Sequence, residues 1–154
     1  MHNTYMNRAI ELAKKNVDRG GGPFGAIIVK DGEIISEASN LVTLEKDPTA
    51  HAEIVAIRKA SEKLGTHELN ECVLYATCEP CPMCLGAIYW ARISQVYYAA
   101  ERSDAASAGF DDSYIYEEIE KPIEKRDLPM KKILDSGVEV LFQKWDDKTD
   151  KQRY

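Results

Sequence analysis

His51-Ala52-Glu53 and Pro80-Cys81-Pro82-Met83-Cys84 constrain this chain more than any other feature. One imidazole and two thiols supply three ligands for a zinc ion. Three protein ligands leave the fourth tetrahedral position open to water, the layout of a catalytic rather than a structural zinc site. Zinc lowers the pKa of bound water to about 7, and Glu53, two residues from His51, is then the natural proton carrier. The expected metal content is one zinc per chain, held by His51, Cys81 and Cys84.

A C-x-x-C pair by itself also fits a redox dithiol or half of a structural knuckle. A knuckle needs a second ligand pair, and His67 has no partner at finger spacing. A redox pair has no use for His51 or Glu53. Cys78, Cys81 and Cys84 form a C-x-x-C-x-x-C run, but an iron–sulfur site needs a fourth cysteine, and none follows Cys84. Cys78 is therefore read as a neighbour of the site and Cys72, in an apolar run, as a core thiol. His2 and His67 are read as exposed and inert.

Local signals agree. Asp47-Pro48 reads as a helix start, with Asp as N-cap and Pro at the first helical position, which puts His51 and Glu53 in the first turns. Pro80 and Pro82 flank Cys81 where a second helix begins. Cys81 and Cys84 then share a helix face, with the positive end of the dipole favouring their thiolates.

The chain has 154 residues, enough for one domain with a sizeable core. Its net charge of −6, from 26 acidic and 20 basic residues, argues against a general nucleic-acid binder. Cysteines at metal-type spacing point to a reducing compartment. The N-terminus lacks the apolar core of a signal peptide, and no apolar run reaches the roughly 18 residues of a membrane span. A cytoplasmic location follows as an expectation.

Tyr5, Ala9, Ile10, Ala13 and Val17 recur at helical spacing, so residues 4–18 read as an amphipathic helix. Gly20 to Gly25 matches G-x-G-x-x-G but follows a helix and precedes a strand, the wrong order for a dinucleotide loop. Strands are expected at 24–30 and 33–39 around Asp31-Gly32, a hairpin signal. A helix is expected over 48–64, stopped by Gly65. A strand over 72–77, a helix over 81–91, a strand over 95–100 and a short helix over 113–119 follow. Residues 130–134 are expected as a last strand, and residues 138–145 as a helix. This order implies a mixed sheet with helices on both faces.

Gly21-Gly22-Pro23-Phe24-Gly25-Ala26, Asp47 to Glu53, Cys78 to Ala91, Ala108-Gly109-Phe110-Asp111-Asp112-Ser113 and the terminal Tyr154 together resemble the guanine deaminases of the cytidine-deaminase-like superfamily. The core motif alone, H-x-E followed by P-C-x-x-C, is the signature of the zinc-dependent nucleobase deaminases at large. Residues 120–140 match the family pattern poorly. The resemblance implies a three-layer α/β/α sandwich around a five-stranded mixed sheet, in a single domain over 1–154. It implies hydrolysis of guanine to xanthine and ammonia. Glu53 would be the proton shuttle, helped by Asp112, in a purine pocket using Phe24, Asn40, the backbone of Ala52, and Trp90. It also implies a homodimer in which residues about 138–154 are exchanged, so that Tyr154 closes the partner's pocket.

Each pocket residue has a plainer reading. Phe24 and Trp90 can be core aromatics, Asn40 a turn residue, Asp111 or Asp112 a helix cap, and residues 143–154 a frayed charged tail. Three rival functions remain open. A tRNA adenosine deaminase would need a basic docking surface. A nucleoside or cytosine deaminase shares the fold. A structural zinc scaffold would have no use for Glu53.

Overall fold

The computed structural model describes residues 1–154. They divide into two compact units, Met1–Ser113 and Tyr114–Tyr154.

The first unit is built on four strands, β1 (Gly25–Lys30), β2 (Glu33–Ser39), β3 (Cys72–Cys78) and β4 (Gln95–Ala100), in the order β2-β1-β3-β4. β1 is antiparallel to both β2 and β3, and β3 is parallel to β4. Asp31 and Gly32 both take positive φ, 51° and 80°, as a two-residue turn matching strand twist requires. α1 (His2–Asp18) covers one sheet face, where Ala9, Ile27, Val29 and Tyr75 cluster. α3 (Ala52–Leu64) covers the other over Ile28, Leu74, Val55 and Ala56. Ile27 and Ile28 are both fully buried. Successive strand residues point to opposite faces, so apolar neighbours here mean a strand covered on both sides. α4 (Pro82–Trp90) makes the crossover from β3 to β4. Shorter helices complete the unit: α2 (Val42–Glu45) and α5 (Arg102–Ser107). α6 (Ser113–Glu120) begins at the unit boundary, and α7 (Glu139–Asp147) lies in the second unit.

Four sequence expectations need correction. The sheet has four strands rather than five. Residues 130–134 form no strand: Lys131-Lys132 splits the apolar residues, and Met130, Ile133 and Leu134 are all exposed. The helix expected from Pro48 begins at Ala52. Asp47 is spent on a separate turn, its carboxylate accepting from the Thr49 N–H and hydroxyl at 2.8 and 2.7 Å. The buried face of α1 is also rotated from the expected one. Ala9, Ala13 and Asn16 are buried, while Val17 is half exposed.

α1 lies so close to β1 that a Cβ at Gly25 would stand 2.2 Å from the Ala9 carbonyl oxygen. Backbone meets backbone there and neither can turn aside. Gly25→Ala is expected to destabilise the protein by about 1–3 kcal/mol, the usual cost of overpacking. Chemical denaturation measures it, and an unchanged midpoint would mean that α1 can lift off the sheet at no cost.

Candidate active site

The site lies where β3 and its crossover helix meet, beyond the carboxyl end of a parallel strand. Ligands favour that place in α/β sheets because helix N-termini point into it. Two helices start there, and each has a candidate ligand as its N-cap residue. His51 precedes α3 and Cys81 precedes α4, both in extended conformation with ψ of 155° and 170°. Pro82 at the first position of α4 loses no hydrogen bond, since that N–H has no intrahelical partner.

His51 Nδ1 lies 3.5 Å from the Sγ of Cys81 and 3.5 Å from the Sγ of Cys84. The three donor atoms all fall within 4.8 Å of one another. Zn–N and Zn–S bonds of about 2.0 and 2.3 Å in a tetrahedron put nitrogen and sulfur about 3.5 Å apart. One borderline and two soft donors at that spacing fit zinc. Cys78 is not among the converging atoms; its thiol points to the Glu101 carbonyl at 3.7 Å, and burial pushes its pKa up to about 11.

Without metal, the two ligand cysteines share a proton. Cys81 is lowered to about 4 by hydrogen bonds from the Cys84 thiol and from His51, against the opposing cost of burial. Cys84, fully buried, is raised because its thiol donates to Cys81 and because burial disfavours its charge. His51 is raised by its hydrogen bond to Cys81, with burial opposing. Zinc binds thiolates and neutral imidazole, so the Cys84 proton must leave on loading. At pH 7 metal-free protein is expected to release at least one proton per zinc, and affinity falls as pH falls. Calorimetry in buffers of different ionisation enthalpy reads this directly; loading without proton release would remove Cys84 from the ligand set.

Glu53 sits in the first turn of α3 and only 9% of its surface is exposed. Its carboxyl is in hydrogen-bonding contact with Cys84, and burial raises its pKa above the usual carboxylate range. A buried carboxyl in contact with one of the converging donors is placed to take up and return protons there.

Among the other expected site residues, Phe24 packs against the apolar core and meets Phe110 edge-on at 5.0 Å. Asn40 is buried at the end of β2, where its Oδ1 accepts from the Val42 N–H at 3.1 Å. The next residue ties that segment to the His51 loop, Leu41 N–H donating to the Ala50 carbonyl at 2.9 Å. Ala52 is buried as the first residue of α3, where a backbone N–H has no intrahelical partner. Asp111 closes a turn ahead of α6, accepting from the Ser113 N–H and hydroxyl at 2.9 and 2.6 Å. That leaves Asp112 half-buried in a surface recess of about 360 Å³ beside Arg102 and Ser103. Burial raises the Asp112 pKa while Arg102 opposes the rise. Trp90 stands apart at the far end of α4 from Cys81 and is 63% exposed. Tyr154 ends the second unit and is exposed.

One residue of consequence escaped the sequence reading. Asn16 is fully buried on α1 and donates to the Gly22 and Asn40 carbonyls. Its signal was a polar residue three positions after Ala13, on the face that Ala9 and Ala13 define.

The model for the cytidine and deoxycytidylate deaminase zinc-binding region matches residues 1–100. The chain belongs to this deaminase family. The chain is 56% identical to the guanine deaminase of Bacillus subtilis (strain 168) over 154 residues, 99% of both chains. An X-ray structure of guanine deaminase from Bacillus subtilis superposes with a TM-score of 0.98 at 55% identity, covering 100% of this chain and 99% of that one. The tRNA-specific adenosine deaminase of Aquifex aeolicus (strain VF5) is 49% identical over 96 residues, 62% of this chain and 64% of the relative. Membership gives the converging His51, Cys81 and Cys84 their meaning as a deaminase zinc site. No helix is long and apolar enough to cross a membrane.

Proposed function

We propose that the chain hydrolyses guanine to xanthine and ammonia. The single observation that carries this is the extent of the likeness. Similarity to a tRNA adenosine deaminase spans 62% of the chain, whereas similarity to a guanine deaminase runs through 99% of it. The full-length match takes in the Gly109-Phe110-Asp111-Asp112 segment and the residues to Tyr154. A net charge of −6 also disfavours a tRNA substrate, whose phosphates call for a basic face. Conversion of guanine by the zinc-loaded protein, with xanthine and ammonia formed one to one, tests the reading. Absence of xanthine would reject it.

When bound, zinc supplies Lewis-acid activation of water near neutral pH. The buried Glu53 carboxylate accepts a proton from the attacking water and delivers it to ring nitrogen N3, making C2 more electrophilic. Oxygen bonds to C2. Glu53 then takes the proton of the new C2 hydroxyl and, assisted by Asp112, passes it to the amine; C2=O forms as the C–N bond breaks and ammonia leaves. Phe24 forms an aromatic wall, Asn40 Nδ2 and the Ala52 N–H hold the ring edge, and Tyr154 completes the enclosure.

The quaternary reading is a homodimer with residues about 138–154 exchanged, Tyr154 of each chain covering the other's purine. Its support is unburied apolar surface on each unit. Tyr89, Trp90, Tyr98 and Phe110 are exposed in the first; Leu134, Val140, Leu141 and Phe142 are exposed in the second. Many exposed large apolar side chains in one chain favour association over a lone monomer. Removing the last four residues is expected to leave zinc bound and lower guanine turnover sharply. Mixing Glu53→Gln chains with tail-deleted chains is expected to restore activity, because in a crossed dimer the intact tail covers the intact site. No recovery after verified subunit mixing would mean that the tails do not cross. A cytoplasmic location fits four free cysteines, two of them metal ligands.

A further inference from the structure

We infer that Asn16, on the helix behind the sheet, is a positioning residue for the purine pocket, its one side-chain amide fixing both Asn40 and the loop that carries Phe24. This rests on the proposed pocket, in which Phe24 and Asn40 touch the substrate.

Asn16 is completely buried. Its Nδ2 donates to the Asn40 carbonyl at 2.6 Å and to the Gly22 carbonyl at 2.9 Å. Its Oδ1 accepts from Arg19 Nη2 at 3.1 Å. Two carbonyls converge on one amide nitrogen, so only an N–H₂ group satisfies the position. Carbonyls buried without a donor cost free energy, and the segments bearing them would move to find one.

The surroundings are shaped to this side chain. A Cβ at Gly21 would stand 2.2 Å from Asn16 Nδ2, and a Cβ at Gly22 would stand 3.0 Å from the Asn40 side chain. The glycines at 21 and 22 therefore let the loop close over both amides. The chain then ties itself together once more: Phe24 N–H donates to the Gly22 carbonyl at 2.9 Å, and Asn40 N–H donates to the Phe24 carbonyl at 3.0 Å. Gly22, Phe24 and Asn40 form a hydrogen-bonded chain, and Asn16 closes it into a ring by bonding to both of its ends. No hydrogen bond of this network is made to His51, Cys81 or Cys84, so it can be disturbed without removing a metal ligand. A helix-interior Asn is a poor helix former, and burying its amide is worthwhile only where the partners need it.

The physical consequence is specific. Phe24 and Asn40 bind the purine ground state and transition state alike, so loosening them raises KM and leaves kcat nearly unchanged. A purely structural role predicts the reverse. It would reduce the fraction of folded chains, lowering apparent kcat, while KM is independent of how many chains fold.

The test compares Asn16→Ala, Asn16→Ser, Asn40→Ala and Phe24→Ala, each zinc-loaded, by steady-state kinetics on guanine. Arg19→Ala, which removes only the partner of Oδ1, serves as a control. Both Asn16 variants are expected to raise KM by roughly tenfold or more, following Asn40→Ala and Phe24→Ala, with full zinc and a kcat within a few-fold of the parent. Arg19→Ala is expected to keep the parental KM. If Asn40→Ala and Phe24→Ala raise KM and the Asn16 variants do not, the positioning role is wrong while the pocket stands. If none of the four changes KM, the pocket itself is wrong and the role of Asn16 falls with it.

Discussion

Glu53→Gln is expected to keep one zinc per chain and to lose at least 10²- to 10⁴-fold in guanine turnover, the usual worth of one general acid–base group. The lower figure is a floor, because this carboxyl serves more than one proton transfer. Gln has the same shape and fills the same buried volume in the first turn of α3, so Ala52, Val55 and Ala56 stay packed. It cannot ionise, however, and so cannot accept a proton from water. The zinc ligands are separate side chains, and Gln keeps a polar group where the Glu53 carboxyl meets Cys84. Metal content and ammonia release are therefore measured on the same sample. Zinc retained with near-parental turnover would take Glu53 out of the mechanism.

Cys84→Ala is the second large effect: zinc is lost and guanine turnover falls to background. Cys84 is the fully buried member of the ligand set, and its removal leaves His51 and Cys81, too few donors to hold zinc in a three-ligand site. The sheet itself is expected to survive. Its apolar cluster is built on Ile28, Leu74, Leu69 and Val55, and none of these depends on the metal. Elemental analysis with far-ultraviolet circular dichroism separates the two outcomes. Full zinc in Cys84→Ala would show that another donor completes the site, and Cys78 is the first to examine.

The metal ligands were legible in the sequence because short spacings on helix starts leave few alternatives. Prolines around Cys81 announced the start of α4, and Cys81 and Cys84, three apart, had to share a face. β2 and β4 were legible to the residue, since alternation and turn residues bound them: β2 spans Glu33–Ser39 and β4 spans Gln95–Ala100. Asp47-Pro48 misled because the same capping chemistry also closes an isolated turn, and only tertiary contacts decide which. α5 was missed because it has six residues, too few for a periodic signal. Its capping box between Glu101 and Asp104 was nevertheless written in the chain. The fifth strand was expected both from residues 130–134 and from the family resemblance, but Lys131-Lys132 stands where alternation would be needed. Asn16 was invisible for a different reason. A polar residue on an apolar face reads as an interruption until its two carbonyl partners are seen.

Zinc-dependent guanine deamination is tested most directly by ammonia release measured in parallel. The substrates are guanine, guanosine, cytosine, cytidine, adenosine and a tRNA anticodon stem-loop, each with zinc-loaded and with metal-free protein. Guanine is expected to give the highest kcat/KM, with xanthine as product, and metal-free protein is expected to be inactive until zinc is restored. A higher kcat/KM for the stem-loop, or guanine turnover that survives complete removal of zinc, would contradict that assignment.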